Sequence, residues 1–175
     1  MNTEKLDELF NRELGETYLT EKLLLDLLSK SVAFPTARAT TIETSLGQTQ
    51  ERVRRLERVF ALTKTSPDAI KRAALLGLAE FEPFIAAIED PKAREVANLA
   101  ALQTFLHHLV ASYAKLTMWA NLLHKPELAK VLNASLAEEQ AALMTLSSVS
   151  DSGRTEDPKS TSLGQRLTAM FDRKR

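Results

Sequence analysis

An all-α helical bundle is the fold class that this sequence predicts, on three observations. Apolar residues recur at steps of three, four or seven over most of the chain. Ser-Pro-Asp and Asp-Pro steps punctuate it as helix starts. No segment shows the strict alternation, or the Gly/Asn turns, of a strand pair. With 175 residues the chain is long enough for one well-buried core and short for two. The expected organisation is one helical domain of about five helices over residues 1–148, then a polar tail over 149–175 with a short amphipathic end.

The first helix is predicted from about Thr3 to Ser31. Its stripe is Leu6, Phe10, Leu14, Tyr18, Leu25 and Leu28, and between Tyr18 and Leu25 it passes through Glu21. Phe34-Pro35 breaks it, because a residue before proline avoids the helical region. Thr40 and Glu43 make a capping box for a second helix, about Thr41 to Thr63, with the stripe Ile42, Leu46, Val53, Leu56 and Phe60. Arg52, Arg54, Arg55 and Arg58 are interleaved with Glu51 and Glu57, which reads as a solvated charged face.

Ser66-Pro67-Asp68 starts a third helix, expected to reach Glu89 with Pro83 kinking or splitting it. Asp90-Pro91 starts a fourth, ending near Leu123. Its stretch Val96–Ala114 has no Asp, Glu, Lys or Arg, but Asn98, Gln103, His107, His108 and Ser112 interrupt it. A helix apolar on several faces is then a bundle helix rather than a membrane span. Pro126 opens the fifth, through about Ser148, with Leu128, Leu132, Leu136, Leu143 and Leu146 inward. The polar run from Ser147 to Ser162 has no periodicity and is expected to be disordered.

Composition excludes several function classes. Lys plus Arg and Asp plus Glu are 23 each, so charge implies no nucleic-acid or anionic-membrane partner. Without cysteine there is no thiolate zinc site and no cysteine nucleophile. The segment MNTEKLDELF lacks the basic and apolar regions of a signal peptide, so a cytoplasmic setting is expected. The five glycines, at 15, 47, 77, 153 and 164, form no phosphate loop, and no serine sits in a nucleophile elbow. His124, beside Lys125-Pro126, reads as a helix-terminal cap rather than a base.

Five segments carry a resemblance: LGETYLTEKLLLDLL, SLGQTQERVRRLERVF, GLAEFEPFI, LQTFLHHLVASYAKL and VLNASLAEEQAALMTL. In their order and spacing they resemble the ferritin-like bacterial stress proteins of the YciE/YciF type, over about residues 5–148. The resemblance implies a ferritin-like four-helix bundle with an additional crossover helix, a homodimer, and inward carboxylates and histidines able to hold iron or manganese.

Against that pattern the ligands are depleted. Gly47 and Gln48 stand where the family has consecutive acids, and Gln50 where it often has an acid or histidine. Leu106-His107-His108-Leu109 replaces a Glu-His-Tyr-Glu step, and Leu143 replaces an acid. Glu21, His107 and Glu139 remain as candidate metal ligands for at most one ion, or as members, with Gln50, of a vestigial polar core cluster. Glu80 also matches a family acid but reads as an exposed helix charge.

Three functions follow as expectations. The leading one is a non-catalytic, stress-associated bundle without cofactor, acting through homodimer or protein-partner contacts. The second is an iron- or manganese-binding oxidoreductase or storage protein, and the third a helical adaptor or immunity-like protein.

Overall fold

The computed structural model describes residues 3–32, 39–67 and 80–152. Among these are α1 (Thr3–Val32), α2 (Ala39–Thr63), α3 (Phe81–Ala86), α4 (Pro91–Leu122) and α5 (Pro126–Ser152), and no strand. The four long helices have 30, 25, 32 and 27 residues, so each runs about 40 Å or more.

Cross-helix contacts give the directions. Residues early in α1 meet residues late in α4: Asp7 pairs with Lys125 just past the end of α4, and Glu13 with Lys115 at 2.7 Å. Tyr18 bonds Glu57, and Arg55 bonds Glu138. Thus α1 is antiparallel to both α2 and α4, and α5 is antiparallel to α2 and α4. It follows that α2 and α4 run parallel, and their connection joins opposite ends of the bundle. That is the long crossover expected of the four-helix arrangement.

Each start has a local cause. Asp90 caps α4 by accepting from Lys92 N at 2.9 Å, and Pro91 takes the first helical position. The third helix expected from Asp68 falls largely outside the described residues. Its described part is the six-residue α3, which ends at Ala86 rather than Glu89, with Pro83 in the first turn where it needs no amide partner. Ile85 of α3 is buried, and Phe81 packs on Phe105 of α4 with ring centroids 6.4 Å apart.

Two helices end in the left-handed region without glycine. Lys64 and His124 have φ of 56° and 55°. Around them Thr65 N donates to Phe60 O and Lys125 N to Ala120 O, at 3.1 and 2.9 Å, closing Schellman caps. His124 is thus a cap residue, as its position beside Lys125-Pro126 suggested. The fifth helix runs to Ser152, four residues beyond its expected end, and the tail expected after it lies outside the described residues.

The core is leucine-rich: Phe10, Leu14, Leu24, Leu28, Leu56, Phe105, Leu109, Leu116 and Leu132 are almost wholly buried. In α1 the inward line runs through Thr17, Glu21 and Leu24, leaving Tyr18 and Leu25 half-buried. No described helix is long and apolar enough to cross a membrane. On α4 the buried face is backed by an uncharged outer one, where Ala100, Thr104, His107, Ala111, Ala114 and Met118 are exposed.

Candidate functional site: an ion cluster in the bundle core

Three charged side chains from three helices meet in the core. Glu21 of α1 and Glu139 of α5 are fully buried, and Arg52 of α2 is 1% exposed. Arg52 Nε donates to Glu21 Oε1 at 2.8 Å and stands 2.6 Å from Glu139 Oε1. Its Nη2 donates to Thr49 Oγ1 at 2.8 Å. From α4, Tyr113 OH donates to Glu21 Oε1 at 2.8 Å. Glu138 closes the outer side: its Oε1 takes a 2.7 Å contact from Arg55, while its Oε2 stands 3.9 Å from Arg52 Nη1.

Burial and charge set the protonation. Burial raises the Glu21 carboxyl, against the pull of Arg52 and its hydrogen bonds from Tyr113 and Arg52. Burial and the charge of Glu21 hold Glu139 well above the usual carboxylate range, with Arg52 opposing. Burial would lower Arg52, but Glu21 and Glu139 outweigh it and keep the guanidinium charged. Burial and Glu21 push the Tyr113 hydroxyl well up. Both carboxyls are thus disposed to protonation, Glu139, which accepts no hydrogen bond, more so than Glu21 with its bond from Arg52. The geometry agrees: Arg52 Nε has one hydrogen, spent on Glu21, and neither Glu139 oxygen accepts a hydrogen bond.

Several expectations change here. Arg52 was expected on a solvated face with Arg54, Arg55 and Arg58. Arg54 and Arg58 are indeed exposed and pair with Glu51 at 3.3 and 2.9 Å. Arg52 instead turns inward, because it lies four and seven residues before the buried Leu56 and Val59. Gln50 is exposed and takes no part in the cluster.

The structure brings Glu21 and Glu139 together but not His107, which faces outward from α4 while its neighbours Leu106 and Leu109 are buried. Glu80 is exposed, as read. No group of three or more His, Cys, Asp or Glu among the described residues is arranged to hold a metal ion. The two carboxyls that would have to do so already face a guanidinium at 2.6–2.8 Å, so this residue set does not fit a metal.

An alternative reading of Glu21 from the sequence has it bonded to Tyr18 or an arginine, but Tyr18 bonds Glu57 and nothing in the sequence singled out Arg52, Thr49 or Tyr113. Tyr113 sits in register with Leu102, Phe105, Leu106, Leu109 and Leu116, which was the available signal.

The family's sequence profile, described as a domain of unknown function (DUF892), matches residues 5–157. The chain belongs to the DUF892 family. It is 31% identical over 150 residues to protein YciF of Escherichia coli K12, covering 81% of this chain and 87% of that one. The crystal structure of the E. coli stress protein YciF superposes with a TM-score of 0.76 at 25% identity, covering 87% of this chain and 98% of that one. YcfI from Rhodopseudomonas palustris gives 0.71 at 26% identity, over 81% and 92%. A Xanthomonas campestris protein gives 0.68 at 17% identity over 86% and 94%, which speaks to the fold alone.

Proposed function

We propose that this protein is a structural, non-catalytic member of its family, in which an internal guanidinium takes the role that a bound cation has in ferritin-like bundles. The observation that carries the reading is Arg52 Nε at 2.8 and 2.6 Å from Glu21 and Glu139. A resident positive charge offsets buried carboxyls as a metal would, but offers neither open coordination nor redox chemistry. The stress association of YciF and the shared fold support a stress-related role.

Such a protein acts through its surface. The outer face of α4, uncharged from Val96 to Ala114, suits a homodimer contact or a protein partner.

Titration of metal-stripped protein with Fe(II) and Mn(II) tests the reading. No stoichiometric binding is expected in the wild type. Stoichiometric binding that disappears in Glu21→Ala would overturn the reading in favour of the metal-binding alternative.

A further inference from the structure

A cleft of about 270 Å³ opens along the seam of α2 and α5, at the end of the bundle where α2 starts. Leu24, Leu28, Leu102, Leu106 and Leu146, each less than a tenth exposed, give it an apolar wall. Its rim is built of short uncharged side chains: Thr40 and Thr44 of α2 and Ala141 and Thr145 of α5 are all exposed. Further along the seam Arg52 meets Glu139 and Arg55 meets Glu138, at 2.6 and 2.7 Å, and tie the same two helices together. The cleft is therefore the stretch of the seam that small residues leave unfilled.

A second apolar feature lies in the sequence beyond α5. Residues 153–162 read GRTEDPKSTS, without an apolar side chain, and residues 163–175 read LGQRLTAMFDRKR. Steps of four, three and one put Leu163, Leu167, Met170 and Phe171 within about 100° of a helix circumference, with Gln165, Thr168 and Asp172 on the other side. A helix of thirteen residues is marginal alone in water, so this pattern needs an apolar surface to fold against. The family profile stops at residue 157, so the stripe lies outside the part of the chain matched to its relatives.

We propose that residues 163–171 fold back as a helix onto this cleft of their own chain, with Leu167 and Phe171 set against its leucines. Reach selects this occupant. The last residue of α5, Ser152, lies about 9 Å along the helix from Leu146 and about 15 Å from Ala142. Ten flexible residues have a root-mean-square span of about 16–19 Å, which matches that return path. Such a short tether holds the segment at roughly millimolar effective concentration, an advantage that a separate chain of the same chemistry lacks. Size agrees as well: a cavity of roughly 150 Å³ holds benzene, so 270 Å³ takes one phenyl ring and one leucine side chain. The docking is that of an amphipathic helix laid in an apolar groove, with anchors one turn apart. The inference goes beyond the proposed function and is independent of it, since covering the cleft does not bear on what Arg52 replaces.

The test uses the full chain, which has no cysteine of its own, so Thr168→Cys gives a single nitroxide attachment point away from the apolar stripe. Amide NMR signals of residues 41–48 and 141–146 are expected to broaden, while those of Leu62 and Leu122, at the opposite end of the bundle, stay sharp. Adding Leu167→Asp and Phe171→Asp to the labelled chain is expected to abolish the broadening with helicity unchanged. These two positions lie outside the described core, so the loss does not depend on a damaged fold. Absence of broadening at the cleft, equal broadening along the whole bundle, or broadening that survives both substitutions would each overturn the proposal. So would broadening seen only when labelled chain is mixed with isotope-enriched unlabelled chain, which would assign the cleft to the segment of a second copy.

Discussion

At the scale of residues, the cluster of Glu21, Arg52 and Glu139 is costly to break and cheap to replace whole. Removing only the cation leaves two buried carboxyls uncompensated. Arg52→Leu is therefore expected to lower stability by about 3–5 kcal/mol at neutral pH, and by less in acid, where the carboxyls take up protons. Urea unfolding at two pH values checks this. Glu139 gives a second prediction. Its folded pKa is raised by burial above the unfolded value near 4.5, so the folded state binds the extra proton. The associated stability is fully present below the unfolded value and is lost as pH rises through the folded one. Glu139→Gln keeps the neutral shape, so it is expected to flatten this decline and to be more stable than wild type at alkaline pH. Melting temperatures across pH would decide it, and an unchanged slope would show that Glu139 is not the proton carrier.

At the scale of elements, two features of the helices are not optimised. Gly47 lies inside α2 with nothing within 4 Å of where a Cβ would stand. Gly47→Ala is thus expected to stabilise the protein by about 0.5–1 kcal/mol, read from denaturant midpoints at constant slope. Lys64 holds the left-handed cap of α2, which strains any side chain-bearing residue. Lys64→Gly should recover about 1 kcal/mol. The end of α4 has the same strain at His124, but there the turn continues into Lys125, which pairs with Asp7 and lies 5.8 Å from the Phe10 ring. The start signals Asp90-Pro91 and Pro126 were legible because capping and proline act within one turn of the chain, whereas the capping box read at Thr40 and Glu43 falls inside a helix that begins at Ala39. The inward line of α1 was legible only in part. Tyr18 and Leu25 are apolar enough to draw the eye, whereas Thr17 and Glu21 are polar residues that the packing buries.

At the scale of the whole molecule, the uncharged outer face of α4 is the surface best suited to another subunit. Ala111 lies at its middle, and Ala111→Glu would place a charge there without touching the core. Sedimentation is expected to show a dimer for the wild type and a monomer for the variant, with unchanged helicity; a wild-type monomer would remove this face from consideration as a self-contact.

The sequence by itself determined that the chain is helical, where most helices begin, and many of the inward leucines, because helix periodicity and capping are local physics. The family resemblance implied in addition that acids are missing at Gly47, Gln48, Leu106 and Leu109. Only the tertiary structure decided what stands beside the acids that remain. Arg52 looked like one of four surface arginines because each was judged against neighbours in sequence. Its burial depends on Glu21, 31 residues before it, and on Glu139, from another helix hairpin. An ion pair between helices is a property of their packing, and no local pattern reports it.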